Sequence, residues 1–258
     1  MKCVTFNIRC DWGQDGNNCF EYRKPLILEK INREQPDIIC FQEVLPHIAV
    51  WLKKNLTDYY VVGCGRGKTL DSEQMTIAYR KDHMNLIHME TWWLSKTPNV
   101  PGSRYEEQSD YPRTATEAVF QDMETEKVFR VVNTHLDHEG QGARRQGLMQ
   151  IVKKLAEEVV WADVPTVLVG DFNAEPDSEE MAVLLENRDF VNATNDIGVT
   201  YHGYHGEESA YPGDGVTSSI DYIFLKGNWV CEAVEKWKDH KEGVYLSDHY
   251  PVCAIINP

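Results

Sequence analysis

Four short strings in this chain carry side chains able to hold a hard cation beside a phosphoryl group. They are Phe-Gln-Glu-Val around Glu43, Asn-Thr-His-Leu-Asp-His at 133–138, Gly-Asp-Phe-Asn at 170–173 and Ser-Asp-His-Tyr-Pro at 247–251. Each adjoins an apolar run that reads as a buried strand, so each delivers its polar groups at a strand end. Carboxylate and amide oxygens suit a divalent ion, while imidazole and amide N–H groups suit phosphate oxygens.

Glu43 closes the run Asp37-Ile-Ile-Cys-Phe41, where an unpaired carboxylate would be costly. A metal ion, an arginine or the start of the next helix would answer it. Asn7 ends the first strand and reads either as a turn cap or as a site residue. In Gly170-Asp171-Phe172-Asn173, the glycine permits a sharp turn. Asp171 and Asn173, two apart, can align a water nucleophile and a phosphoryl oxygen. Asp248 and His249 offer an anion and an imidazole side by side, for the metal and the phosphate respectively. Asp221 at a strand start can orient an imidazole. His135 leads an HxDH string, which admits a two-metal site. Its strand delivers it to the rim of Asp171, which favours a hydrogen-bonding or proton-donating role. Arg113 at a strand start and Arg144 opening a helix could clamp a substrate phosphate or simply pair with surface acids. Trp12, Trp92 and Trp93 divide between cleft and core.

The elements needed to position these groups can be read from periodicity. Strands are expected at 4–8, 37–41, 59–64, 74–79, 83–94, 115–121, 128–133, 165–169, 220–225, 229–237 and 251–256. Helices are expected at 22–34 with Pro25 in the first turn, at 48–56, at 142–160 and at 178–187. Residues 95–112 form a long loop suited to binding, and 198–219 a second loop with one short strand near 199–203. Runs such as Ile38-Ile-Cys-Phe41 and Thr166-Val-Leu-Val169 are apolar on both faces, so they need cover on both sides. The pattern is two packed sheets with helices outside, in one domain over residues 1–258.

A formal charge of −15 argues against a wide surface for long nucleic acid. A small phosphorylated molecule or a short oligonucleotide, bound through metal and local arginines, fits better. The seven cysteines lack metal or disulfide spacing and read as reduced thiols, which points to a cytoplasmic setting. No run reaches membrane-spanning length, and no signal-like apolar segment precedes the first strand. Nothing in the chain speaks to oligomeric state.

Taken together and in order from Thr5 to Val252, these strings resemble the endonuclease/exonuclease/phosphatase superfamily. Trp93-Leu-Ser95, Asp110-Tyr-Pro-Arg-Thr-Ala115 and Thr134-His-Leu-Asp-His138 are similar to a bacterial branch distantly related to nocturnin and the mRNA deadenylases. Asn133-Thr-His departs from the tyrosine-containing string of the abasic-site endonucleases. The resemblance implies an α/β fold, a four-layer α/β sandwich of two mixed, mainly antiparallel sheets flanked by helices. It implies a magnesium ligand in Glu43, supported by Asn7 and Asp248, with Mn²⁺ able to substitute. Asp171 would activate water, Asn173 would hold it, and His249 with Asp221 would bind the scissile phosphate. His135 would be the second histidine, paired with Glu73. The expected activity is hydrolysis of a phosphate mono- or diester in a small or short-chain substrate. A 3′–5′ RNA exonuclease is the alternative, and a catalytically silent binding module a third.

Overall fold

The computed structural model describes residues 1–206 and 219–258. The strands of the N-terminal half are β1 (Lys2–Asn7), β2 (Ile38–Val44), β3 (Tyr59–Val62), β4 (Gln74–Arg80), β5 (Met84–Trp93), β6 (Thr114–Asp122) and β7 (Val128–His135). Helix α1 (Phe20–Glu34) joins β1 to β2, and α2 (Pro46–Asn55) follows β2. Helix α3 (Gln141–Glu157) joins β7 to β8 (Thr166–Asp171), and a short α4 (Ala182–Leu185) precedes β9 (Phe190–Asn192). The chain then supplies β10 (Asp221–Lys226), β11 (Val230–Lys236), β12 (His240–Lys241), β13 (Val244–Tyr245) and β14 (Val252–Asn257).

One sheet runs β11-β14-β1-β2-β4-β3 and the other β5-β6-β7-β8-β10-β9. Each contains one parallel pair, β1/β2 and β7/β8, with a helix between the paired strands. The remaining pairings in these two sheets are antiparallel. Side chains alternate as a doubly covered strand requires. Ile38 and Cys40 join the core between the sheets, while Ile39 and Phe41 join the core under α1 and α2. In β8, Val167 and Val169 face the other sheet and Leu168 faces α3 and α4. Three apolar layers therefore lie between four structural layers, the sandwich expected from the sequence.

Several local expectations need correction. Helix α1 begins at Phe20, not residue 22, so Pro25 sits in its second turn, where it removes one backbone hydrogen bond. The helix stops where Gln35 turns left-handed before Pro36. The 178–187 helix is a 3₁₀ turn at Glu179–Met181 followed by α4. The short strands β9, β12 and β13 were not expected, being too brief to show a period. Near 199–203, Tyr201 forms a single bridge to His249. The rest of that loop, 207–218, lies outside the described residues.

Parallel pairing sends the C-terminal ends of β1 and β2, and of β7 and β8, to one edge each. Register then aligns a row across the second sheet, with His135 opposite Asp171 and Asp171 opposite Asp221. Gly170 makes that row possible. Its φ is +148°, and a Cβ there would lie 1.8 Å from the Thr134 carbonyl oxygen of the neighbouring strand. Gly170→Ala is expected to cost about 3 kcal/mol, at the upper end of overpacking, measurable by urea denaturation. Wild-type stability in that variant would mean the strands can part without penalty.

Candidate active site

The two strand-end clusters meet across the sheet interface through Asn7. Its Nδ2 donates to Glu43 Oε1 and to Asp171 Oδ2, both at 2.9 Å, while its Oδ1 accepts the Arg9 amide at 2.9 Å. As placed, Asn7 turns its nitrogen rather than its oxygen toward the carboxylates. In this arrangement it links the two carboxylates, and its oxygen is taken by the Arg9 amide.

Glu43 lies at a bulge, where the β2/β4 register slips between Phe41 and Val44. Its φ of 61° swings the carboxylate out of the strand's alternation toward Asn7. Arg9 and Asn173, at the same cavity, also have positive φ, 60° and 49°. Such conformations cost about 1–3 kcal/mol each and gather where function requires them. The Cys10 amide donates to Glu43 Oε2 at 2.7 Å. Burial alone would raise the Glu43 pKa. The Cys10 and Asn7 hydrogen bonds, with the charges of Arg9 and His249, overcome that and hold it at about 2.

Asp171 is 1% exposed and pinned at both oxygens, by Asn7 at Oδ2 and by the Asn173 amide at Oδ1, 2.9 Å away. Burial pushes its pKa up, aided by the Asp221 charge and opposed by His249. His249 Nδ1 meets Asp221 Oδ2 at 2.8 Å, and its Nε2 lies 3.7 Å from Asp171 Oδ2. Burial would strip the His249 proton, but Asp221 and then Asp171 outweigh it and raise the pKa to about 10. His249 is thus an imidazolium held between two carboxylates. His135 Nε2 is 3.5 Å from Asp171 Oδ2, and its Nδ1 is buried without a partner. Burial, then the Arg113 charge, pushes its pKa well down. A neutral imidazole at that place offers either a lone pair or a single hydrogen bond.

The remaining predicted residues divide. Asn173 lines the cavity and spends one amide hydrogen on the Leu136 carbonyl at 3.1 Å. Asp248 also faces the cavity, its Oδ2 3.4 Å from Arg9 Nε. Burial raises its pKa, against the pull of His249 and Arg9. Glu73 reaches the cavity but is not the partner of His135: its Oε2 pairs with Arg66 at 2.9 Å. The loop carrying Glu73 turns back onto Arg66, whose amide also donates to the Glu73 carbonyl. Arg113 lines the cavity, with Nη2 2.9 Å from His138 Nδ1 and Nε 3.4 Å from Asp137.

Arg144 corrects the other way. Its Nε donates to the buried Glu180 at 2.6 Å and its Nη1 to the Asp137 carbonyl at 3.1 Å, so it ties α3 to the following turn. Arg144→Met should leave kcat unchanged while costing about 3 kcal/mol of stability, because it strands the Glu180 charge. A loss of activity without a loss of melting temperature would return Arg144 to the site.

Sequence reasoning missed Arg9 and Arg66, which sit in turns without a motif. Trp92 and Trp93 are buried, while Trp12 is 67% exposed at the cavity rim. Tyr111, from the long 95–112 loop, also lines the rim. The cavity measures about 610 Å³. Ligand atoms of Glu43, His135 and Asp171 lie within 4.8 Å of one another, as do those of Asp171, Asp221 and His249.

Comparison with known proteins agrees with this fold. The model of the endonuclease/exonuclease/phosphatase family matches residues 4–249. The chain belongs to that family. A family member from Bacteroides vulgatus is 31% identical, with a TM-score of 0.89 over 99% of this chain and 98% of its own. A Bacteroides thetaiotaomicron mannosyl-6-phosphatase is 24% identical, with a TM-score of 0.88 over 100% and 99%. The catalytic domain of human nocturnin, solved with a sulfate anion, shares the fold at 18% identity, with a TM-score of 0.76 over 100% and 93%. The family's shared architecture accounts for the two six-stranded sheets. Among the described residues, no helix is long and apolar enough to cross a membrane.

Proposed function

We propose that this chain is a metal-dependent phosphoesterase that hydrolyses a small phosphorylated substrate by in-line attack of water. The observation that carries the reading is the buried hydrogen-bonded run from Glu43 through Asn7 to Asp171, beside the His249–Asp221 pair, in one cavity.

The donor set fits a divalent ion. Glu43 and Asp171 supply oxygens within 4.8 Å of each other, with His135 as a nitrogen donor at the same point. Burial and neighbouring acids penalise Asp171 and Asp248 as anions, a penalty that a cation would offset. Magnesium suits the oxygens, and manganese, which accepts imidazole more readily, is proposed as a substitute. When bound, the ion would neutralise charge developing on the phosphoryl and leaving-group oxygens.

The chain's own groups divide the remaining work. Asp171, held at both oxygens by Asn7 and the Asn173 amide, is placed to accept a proton from the attacking water. Asn173 keeps one amide hydrogen for that water or a phosphate oxygen. The His249 imidazolium donates to a non-bridging oxygen, and Asp221 maintains its charge and orientation.

A cavity of about 610 Å³ has the capacity of a sugar phosphate or mononucleotide. The −15 charge and the likeness to a mannosyl-6-phosphatase both favour that class. Exposed Trp12 supports a second reading, a short-oligonucleotide exonuclease in which a base stacks at the rim. A panel of sugar phosphates, nucleotides, inositol phosphates and short RNA, with and without magnesium, separates them. Turnover of a small phosphate ester that chelation abolishes is the expected result. A steep salt dependence with RNA as the preferred substrate would favour the second reading. No turnover of any phosphate ester, together with no magnesium binding, would overturn both.

A further inference from the structure

Three donor nitrogens at one wall of the cavity have no hydrogen-bond partner: Nε and Nη1 of Arg66, and Nη1 of Arg113. Both side chains are nearly buried, 3% and 4% exposed, yet both line the cavity. Buried cationic donors are normally satisfied, so two in one wall call for a ligand.

Both guanidinium groups are held in place. Trp93 Nε1 donates to the Arg66 carbonyl at 2.7 Å, and the Arg66 guanidinium lies over the Tyr111 ring, 5.6 Å from its centroid. Glu73 takes only Nη2 of Arg66. Arg113 contacts Asp137 at a long 3.4 Å. That carboxylate is already served by the Ser109 amide and hydroxyl and by the Gly140 amide. It therefore orients Arg113 more than it consumes it. Burial, then the charge of Arg66, pushes the Arg113 pKa down to about 10, as expected for two cations held close together.

Planar forks with free N–H groups match the oxygens of a phosphate, and two of them match a doubly charged one. We propose that Arg66 and Arg113 form a cradle for a phosphate dianion, beside the Glu43–Asp171–His249 centre, and so select phosphomonoesters over diesters. This deepens the phosphoesterase reading and rests on it for the identity of the neighbouring centre. The dianion is either the group being hydrolysed or a second phosphate on the same substrate.

The test is binding without turnover, in chelator, of inorganic phosphate and dimethyl phosphate, read by calorimetry and thermal shift. Wild type should bind phosphate at least about tenfold tighter than dimethyl phosphate, and Arg66→Met and Arg113→Met should each lose about tenfold for phosphate. Glu43→Gln should retain phosphate binding here, so a failed metal assignment would not mimic a failed cradle. If a methionine variant does not fold, Arg66→Lys and Arg113→Lys keep the charge but lose the fork, and should still bind phosphate several-fold more weakly. A sugar monophosphate and a sugar bisphosphate then separate the two sources. Equal losses on Arg66→Met place the hydrolysed group in the cradle, and a larger loss for the bisphosphate places the second phosphate there. Phosphate affinity unchanged in folded Arg66 or Arg113 variants, or no preference over dimethyl phosphate, would overturn the proposal.

Discussion

Glu43→Gln should lower kcat by about 10²–10³ or more at saturating magnesium, the scale associated with losing one preorganised electrostatic group. The substitution is isosteric, so the effect isolates charge. It also removes one of two acceptor oxygens that receive Asn7 and Cys10, leaving a buried donor unmet at a cost of about 1–3 kcal/mol. The pH dependence of that cost has a definite sign. Because folding depresses the Glu43 pKa to about 2, its stabilisation is present above the ordinary carboxylate range and lost as pH falls through about 2. The stability gap between wild type and variant should therefore be largest near neutrality and close in strong acid. Magnesium should raise the melting temperature of wild type but not of the variant, since a ligand stabilises only the state that binds it. A Glu43→Gln protein with parental turnover, or with undiminished magnesium stabilisation, would remove Glu43 from the centre.

Asp221→Asn should lower kcat by about 10²–10⁴, the range for a positioned acid–base group, with a change in the pH profile that a merely structural residue would not produce. The Asp221 carboxylate meets His249 Nδ1 at 2.8 Å and supplies the largest charge favouring the imidazolium. In wild type the raised pKa keeps His249 protonated until pH climbs toward about 10. Without Asp221 the proton leaves at lower pH, so the alkaline limb of kcat/KM should move toward neutrality. Acidic-side behaviour should change less, because there His249 is protonated in both proteins. A fall in kcat with an unmoved alkaline limb would show that Asp221 only supports the fold near Thr200, whose hydroxyl accepts the Asp221 amide.

These two tests probe opposite sides of Asp171. It joins Glu43 through Asn7 and His249 through electrostatics, so the two sides should not be independent. Non-additive losses in the double variant are expected from groups that act as a unit.

Much of this was legible in the primary structure because strand ends have sequence signatures. Apolar runs that tolerate cover on both faces announced β2 and β8, and the polar residues closing them announced Glu43 and Asp171. His249 and Asp221 were legible for the same reason. What a linear pattern cannot hold is which long-range partner each group takes. Glu73 met Arg66 instead of His135, and Arg144 met Glu180 instead of the cavity, because loop paths between β3 and β4 and beyond β8 decide those meetings. Asn7 became a link between carboxylates because its amide nitrogen, not its oxygen, faces them. Arg9 and Arg66 lie in turns without a period, and only the closing of two sheets around one cavity gave them neighbours. Local chemistry, set by residue type and spacing, thus belonged to the sequence. Pairing belonged to the tertiary structure, because hydrogen bonds and charges act over a few ångströms of space, whatever their separation along the chain.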